Sequence, residues 1–366
     1  MDVTIGKVEF QKALSRVQGI AESRSSAMPI LQHILLETEE GGVRISATDL
    51  DISLRAGYEA RVKTPGRVTL PARKIFDVVR ELPDSDVHLQ AEEEQWVRLT
   101  CARSNFRFPG LEADDFPNIP AFGDGPSFPL PASDLVGMIR KTQFAISTDE
   151  TRTALNGIYL ESKSGTLNLV ATDGHRLAWV SRPVETLTED MGIIIHRKTI
   201  QELLKIISDG DKSVQFQRQD NHVLFQIDSV TLVSRLIEGQ FPNYQQVVPM
   251  GNDQRATVSL EALGGGLRRV SLMANEKSRM VKLRFKEGVL TLFSDTSEVG
   301  EASEEIEIDY EGPEILIGFN SRYILDFLSV VEDDTLRIDL KDSLSSMLLA
   351  PREDKNYYCV VMPMRV

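Results

Sequence analysis

Between positions 165 and 179 the apolar residues fall in two short alternating runs. Leu167, Leu169 and Ala171 alternate with Asn168 and Val170, the two-residue period of a pleated strand, and Leu177 and Trp179 resume it. Asp173-Gly174 stands between the runs as a turn signal, because glycine tolerates the positive φ that a tight hairpin needs. The pattern predicts two strands around a turn, and the chain writes it three times. GVRISATDL at 42–50 is the first copy, GTLNLVATDG at 165–174 the second and GVLTLFSDT at 288–296 the third. Their aspartates, Asp49, Asp173 and Asp295, are separated by 173 − 49 = 124 and 295 − 173 = 122 residues. Near-equal steps predict a repeated domain.

Other markers keep that step. LPARKIFDVV at 70–79 matches IHRKTIQELL at 195–204 and, more weakly, FNSRYILDFL at 319–328. Within them Lys74, Lys198 and Arg322 are 198 − 74 = 322 − 198 = 124 apart. FPNIP at 116–120 recurs as FPNYQ at 241–245. GDGP at 123–126 and PMGND at 249–253 read as linkers. The expected domains are 1–125, 126–252 and 253–366.

Two helices per repeat follow from the period of 3.6. In the first repeat a strand is expected from Val3 to Glu9. A helix follows from Phe10 to Val17, with Phe10, Ala13, Leu14 and Val17 on one face. Arg24 to Pro29 reads as a loop, and strands are expected at Ile30–Thr38, Val43–Ala47 and Ile52–Arg61. Pro71 opens a second helix with Ile75, Val78, Val79 and Leu82 inward. Strands return at Val87–Leu89, Trp96–Cys101 and Asn105–Phe108. In the second repeat the inward residues are Leu135, Met138 and Ile139, then Ile200, Leu203, Leu204 and Ile207 on a helix opening at Arg197. In the third, Ser259 reads as an N-cap. The helix it opens contains Gly264-Gly-Gly266, costing roughly 1 kcal/mol per glycine against alanine, for no reason visible in the sequence. The last helix is expected from Ser321 to Val331, with Ile324, Leu325, Leu328 and Val331 buried. The fold class is α+β: three repeats, each with two helices packed on antiparallel sheets.

Composition narrows the function. A net charge of −14 argues for solubility and, taken alone, against nucleic acid, although it is silent on how charge is distributed. Cys101 and Cys359 make neither a disulfide framework nor a zinc spacing. The start MDVT lacks a signal-peptide pattern, and no apolar run approaches the ~18 residues of a membrane span, so a cytoplasmic protein without membrane attachment is expected. Asp173 and His175 in one turn could form an acid–base pair. The other copies have Leu50-Asp51 and Thr296-Ser297 after their aspartates, so the shared Asp reads as a turn residue. His33, His88, His196 and His222 lack ligand spacing, no Gly-x-Ser-x-Gly elbow occurs, and neither catalysis nor a cofactor is expected.

The helices carry cations opposite their apolar faces: Lys12, Arg16, Arg73, Lys74, Arg80, Arg140, Lys141, Arg197, Lys198, Lys205, Arg268, Arg269 and Arg322. One such face is an ordinary solvated surface. Repeated on several helices, the cations can make a positive surface in an acidic protein, one that meets phosphates without reading bases. Arg24, in its loop, joins this set.

The three-fold repeat, ATDGHRLA at 171–178, FPNY at 241–244, NEK at 275–277 and YCVVMPMR at 358–365 closely resemble the bacterial DNA polymerase III beta subunits, the DNA sliding clamps. The resemblance spans the whole chain. It implies a homodimeric ring of two head-to-tail copies around double-stranded DNA, with helices lining the hole and strands outside. The partners it implies are a clamp loader that spends ATP, the DNA polymerase III alpha subunit, and other DNA polymerases and repair proteins bearing short peptide motifs. By similarity the peptide pocket comprises Leu155, Thr172, Gly174, His175, Arg176, Leu177, Pro242, Val247, Val360, Met362, Pro363, Met364 and Arg365. Gln246 stands where some relatives carry Arg. On residue type alone, Met362 and Met364 would read as a terminal strand packed into the core. The subunit contact is implied at Phe106 and Phe108 against Leu272 and Met273, with Lys74 pairing an acid between Glu298 and Glu304. An interaction scaffold that never meets DNA and a hydrolase using Asp173 and His175 remain as other classes.

Overall fold

A computed structural model describes residues 1–366 apart from 22–27, 188, 208–209, 211, 297–299 and 366. In chain order the first elements are β1 (Asp2–Gly6), α1 (Lys7–Val17), β2 (His33–Glu39), β3 (Gly42–Thr48), β4 (Ile52–Glu59), β5 (Arg61–Thr64), β6 (Arg67–Pro71) and α2 (Ala72–Glu81). Then come β7 (Asp86–Ala91), β8 (Trp96–Cys101), β9 (Ser104–Pro109), β10 (Ser127–Pro131) and α3 (Ala132–Thr142). The middle of the chain forms β11 (Gly157–Lys163), β12 (Thr166–Thr172), β13 (Arg176–Pro183), β14 (Met191–His196), α4 (Arg197–Ile206), β15 (Ser213–Gln219), β16 (His222–Ile227) and β17 (Val230–Arg235). The last part forms β18 (Gln254–Ser259), α5 (Leu260–Ser271), β19 (Met280–Lys286), β20 (Val289–Thr296), β21 (Gly300–Asp309), β22 (Ile315–Asn320), α6 (Ser321–Leu328), β23 (Thr335–Leu340), β24 (Met347–Pro351) and β25 (Tyr357–Val361).

These elements gather into two compact units, Met1–Ser133 with Lys198–Leu236, and Asp134–Arg197 with Ile237–Val366. Sheet pairing explains why two units hold three sequence repeats. In the first unit β17 pairs antiparallel with β4, Leu232 opposite Leu54, so one sheet of order β10-β15-β16-β17-β4-β3-β2-β6 draws on two repeats. In the second, β25 pairs with β13, Val360 opposite Leu177, within a sheet of order β14-β11-β12-β13-β25-β24-β23-β18-β21-β20-β19-β22. The first unit also holds a sheet of order β5-β1-β7-β8-β9.

Helix α1 buries Phe10, Ala13, Leu14 and Val17, the expected face, but starts at Lys7. The strand before it ends at Gly6 rather than Glu9, leaving Val8 62% exposed and its apparent alternation unused. The strand expected from Ile30 starts at His33, because Pro29 sits in the first turn of a short 3₁₀ segment that buries Ile30 and Leu31. The run expected from Ile52 to Arg61 divides at Ala60 into β4 and β5, which belong to different sheets. Helix α4 opens at Arg197 as expected. Its buried residues are Thr199, Ile200, Glu202, Leu203 and Ile206, while Leu204 and Ile207 are half-buried. Helix α6 stops at Leu328, three residues short of Val331, and Phe327 fills the core where Leu325 was expected.

One glycine of the run in α5, Gly266, acquires a reason. A Cβ on Gly266 would lie 2.8 Å from Leu292 Cδ1 and 3.0 Å from Ile306 Cδ1, so the helix seats directly on β20 and β21 only because that side chain is missing. Ser259 caps this helix, its Oγ accepting from the Ala262 N–H at 3.4 Å.

The repeated aspartate is a turn residue in two copies. Asp49 Oδ1 accepts from the N–H groups of Asp51 and Ile52, and Asp173 Oδ1 from those of His175 and Arg176. The residue after each is left-handed, Leu50 at φ 78° and Gly174 at φ 89°. The third copy differs: Asp295 lies within β20 and pairs with Lys282 Nζ at 2.7 Å, because the strand continues to Thr296.

Candidate functional site

In the second unit a cleft of about 110 Å³ is lined by Leu155, Thr172, Gly174, His175, Arg176, Leu177, Pro242, Tyr244, Val247, Val360 and Met362. Its floor follows from strand register. Leu177 on β13 and Val360 on β25 lie opposite each other and pack with Val170 and Tyr244. The chain after β25 is fixed by the Met362 N–H, which donates to the His175 carbonyl at 2.8 Å. Met362 itself is 42% exposed at the cleft's rim, so the core reading of that residue does not hold.

The segment from Phe241 to Val247 forms another wall. Phe241 stacks on Tyr159 with ring centres 4.8 Å apart. Tyr244 is buried and donates its hydroxyl to Glu161 Oε2 at 2.6 Å. Burial, with that carboxylate beside it, pushes the Tyr244 hydroxyl well above its ordinary pKa, so it stays a donor. The sequence reading omitted Tyr244 from the pocket, although FPNY contains it.

His175 and Arg176 play unlike parts. The His175 ring stacks on Tyr323 at 6.3 Å and lines the cleft. The Arg176 guanidinium is committed elsewhere. It pairs with Asp173 at 3.0 Å and Asp326 at 2.7 Å, donates to the Phe144 carbonyl, and lies over the Phe144 and Tyr323 rings. With its side chain only 8% exposed, Arg176 braces the turn rather than offering a polar rim. This pattern also disposes of an Asp173–His175 acid–base pair, since Asp173 holds two backbone N–H groups and Arg176. Pro363, Met364 and Arg365 do not line the cleft. The Met364 N–H donates to the Gly318 carbonyl at 2.8 Å, bridging the tail to β22.

The helix cations divide into two groups. In the first unit Lys12, Arg16, Arg73 and Lys74 have no carboxylate partner among the described residues, while Arg80 pairs with neighbouring Glu81. Lys198 pairs with Asp49 and Lys205 with Glu202. In the second unit Arg140, Arg197 and Arg268 have no carboxylate partner among the described residues. Arg269 pairs with Glu304, and Arg322 lies 3.8 Å from Asp326. Lys141 is a correction: it pairs with Asp354 at 3.1 Å, lies over the Tyr357 ring and is spent inside the fold. Arg24 and Glu298 lie outside the described residues.

The implied subunit contact is also revised. Phe106 is 37% exposed on β9, which ends its sheet, but Phe108 is buried at 6% in the first unit's own core, opposite Val97. Leu272 is 77% exposed just past α5 and Met273 is half-buried. Among the described residues no helix is long and apolar enough to cross a membrane, and no cluster of three His, Cys, Asp or Glu side chains is placed to hold a metal ion.

Three family models match the chain in succession: the DNA polymerase III beta subunit N-terminal domain over 1–120, its central domain over 129–243 and its C-terminal domain over 245–365. The chain belongs to the DNA polymerase III beta subunit family. The beta sliding clamp of Caulobacter vibrioides is 36% identical over 373 residues, with all of both chains covered. The crystal structure of the Pseudomonas aeruginosa DNA polymerase III subunit beta covers all of both chains at 33% identity and a TM-score of 0.96. That of a Pseudomonas aeruginosa sliding clamp bound to griselimycin gives 33% and 0.95, again over all of both chains. The α+β clamp fold of three domains is therefore that of the beta subunits, and the role that goes with it is that of a DNA sliding clamp in replication.

Proposed function

We propose that two copies of the chain close head to tail into a ring around duplex DNA and tether replication enzymes to it. The supporting observation is a pair of open strand edges. In the first unit β9 ends its sheet, and in the second β21 meets β18 only at Asp309 and Ile308, leaving its other edge unpaired from Gly300 to Glu307 among the described residues. Unpaired edges are liabilities unless another strand covers them. The β9 side carries Arg103 and exposed Phe106, and β21 carries exposed Glu301, Glu305 and Glu307, so the two edges complement each other in charge. A contact between unlike surfaces closes into a ring when its rotation divides the circle. Three repeats per chain, with boundaries at 1–125, 126–252 and 253–366, give six similar segments in a dimer.

Within such a ring Lys12, Arg16, Arg73, Lys74, Arg140, Arg197 and Arg268 face the DNA. Diffuse contacts to phosphates hold a duplex without sequence register, so the ring slides. Retention comes from topology rather than affinity, and the chain does no chemistry of its own. A clamp loader opens the ring with ATP. The DNA polymerase III alpha subunit and other polymerases and repair proteins dock short peptides in the cleft. Those peptides carry a Gln followed by Leu and Phe residues, since Leu177, Pro242, Val247 and Val360 offer apolar contact. Each buried Leu-sized side chain contributes roughly 1.5–3 kcal/mol, which suits micromolar binding after ordering costs. The site of action is the cytoplasm.

The test is retention on DNA. Protein loaded onto nicked circular DNA should stay through gel filtration and escape when the circle is linearised. Escape from circles and linear DNA alike would sink the encircling reading.

A further inference from the structure

Next to the apolar cleft in the second unit lies a wider groove of about 780 Å³, and the two share His175 and Arg176 as a common wall. The groove is charged where the cleft is not. Several of its cations are already matched: Arg176 by Asp173 and Asp326, Arg152 by Asp149 at 3.5 Å and Arg322 by Asp326 at 3.8 Å. Arg197, Lys277 and Arg279 also line it, and among the described residues no carboxylate pairs with them; of the three, Arg197 is already given to DNA in the ring, so Lys277 and Arg279 are the groove's own cations. Glu276 is the single carboxylate of the lining left against those three.

The loop that carries two of them is firmly built. Asn275 Oδ1 accepts from the N–H groups of Lys277 and Ser278. Arg279 adopts φ 49°, its N–H donates to the Asn275 carbonyl at 2.7 Å, and its carbonyl accepts the N–H and Oγ of Ser321 at the start of α6. These bonds fix the loop's backbone, so Lys277 and Arg279 are presented at the groove as exposed residues, with Arg279 Nε donating to the Glu276 carbonyl at 3.4 Å. A groove with surplus positive charge beside an apolar cleft suits a peptide that is apolar at one end and acidic at the other.

We propose that the groove binds an acidic stretch immediately preceding the Gln of a partner peptide; the inference rests on the cleft being the peptide site. Leu and Phe side chains belong in the apolar cleft, and the Gln belongs at the polar wall around His175. Residues before the Gln then run into the groove. Once the apolar anchors are seated, the acidic stretch is presented at high effective concentration, so weak exposed ion pairs add measurably to affinity. A free single strand of nucleic acid lacks the apolar anchors, which favours the peptide as occupant.

The experiment is fluorescence anisotropy on the full-length dimer with four labelled peptides: a core of Gln followed by Leu and Phe residues, and the same core preceded by three Glu, three Ser or three Lys. The Glu form should bind roughly three- to tenfold tighter than the Ser form at low salt, as two exposed ion pairs would give, and the Lys form more weakly. The difference should shrink in high salt while core binding persists. In K277E/R279E, and in the milder K277A/R279A, core affinity should be unchanged and the preference for Glu lost. Equal affinity of the Glu and Ser forms overturns the inference, as does a preference that survives both variants. A labelled oligothymidine that binds the wild type, fails on the variants and meets no effect of the Glu extension would assign the groove to nucleic acid. Failure of the core peptide to bind would overturn the cleft reading itself, and this one with it.

Discussion

Tyr244 donates its hydroxyl to Glu161 Oε2 at 2.6 Å, tying a wall of the cleft to the sheet strand β11. Glu161 also accepts from Asn168 Nδ2 at 3.3 Å, so the tyrosine supplies its closer bond. The ring of Tyr244 packs with Leu177 and Val360, so its two ends fix the cleft's floor and wall together.

Tyr244→Phe keeps the ring and removes the hydroxyl. Glu161 then loses a charge-assisted bond, which costs about 1–3 kcal/mol. The wall from Pro242 to Val247 should loosen and affinity for a core peptide fall roughly three- to tenfold, because ordering that wall becomes part of the binding cost. Calorimetric titration reads the affinity and urea unfolding the stability. Unchanged affinity would mean the wall is held by the Tyr159–Phe241 stack alone.

Arg176 joins Asp173, Asp326 and the Phe144 carbonyl from a nearly buried position. Arg176→Met keeps the bulk and strips the charge, leaving two carboxylates facing each other with no cation between them. Stability should fall by about 3 kcal/mol, the scale of breaking a buried pair. Arg176→Lys should recover little of it, since an ammonium cannot fork between both carboxylates or stack on Tyr323. Full recovery by Lys would show that charge alone matters there.

Acid should act through Asp354. Burial pulls its carboxyl up, but hydrogen bonds from Arg182 and Lys141 outweigh that and hold it below its ordinary 3.8. A carboxyl whose folded pKa lies below the unfolded one stabilises the native state above about pH 3.8, and that contribution is lost as pH falls through the lower folded value. Asp354→Asn should therefore be destabilised near neutral pH and show a flatter stability curve below 3.8. Urea unfolding across acid pH measures it, and parallel curves for the two proteins would rule this linkage out.

What the sequence disclosed and what it hid divide by range. Alternation around Asp173 gave the hairpin, and spacing by three and four gave the buried face of α1, because both are local. The end of β1 was set by the pairing of Gly6 with Asp86, far along the chain, and the placing of Asp295 inside β20 by its pairing with Glu301 on β21, which alternation alone does not announce. Most of the cleft was legible through the resemblance, as Leu177, Pro242 and Val360 show. Tyr244 was missed because its partner Glu161 is 83 residues away. Met364 stands outside the lining of the cleft, and its backbone bond to Gly318 leaves no trace in side-chain pattern. Lys141 looked like an outward cation because Asp354, 213 residues on, cannot be paired with it by spacing.

Phe106 and Phe108 should behave differently despite lying two residues apart on one strand. Phe106→Ala, like Leu272→Asp, should shift the dimer toward monomer in sedimentation at micromolar concentration while leaving the fold intact. Phe108→Ala should instead cost about 3–5 kcal/mol of folding stability, as truncating a buried aromatic does. If Phe108→Ala split the dimer with no loss of stability, its burial in the first unit would have been misread.

The glycines of α5 separate helix propensity from packing. An alanine Cβ at Gly264 would meet nothing closer than Arg268 Nη1 at 3.4 Å and Leu328 Cδ1 at 3.6 Å, ordinary contact distances. Gly264→Ala should therefore raise stability by up to about 1 kcal/mol, the propensity difference. At Gly265 the new Cβ would sit 3.2 Å from Arg269 Nη1, a flexible end that can shift, at some cost to its pair with Glu304. At Gly266 it would press Leu292 and Ile306, both buried against the helix, and such overpacking costs about 1–3 kcal/mol. Gly266→Ala should thus lose stability although the helix itself gains propensity. Urea midpoints of the three single variants, measured side by side, should rank Gly264→Ala above wild type and Gly266→Ala below it. A Gly266→Ala protein as stable as Gly264→Ala would show that α5 can lift from the sheet without cost, and Gly266 would again lack a reason.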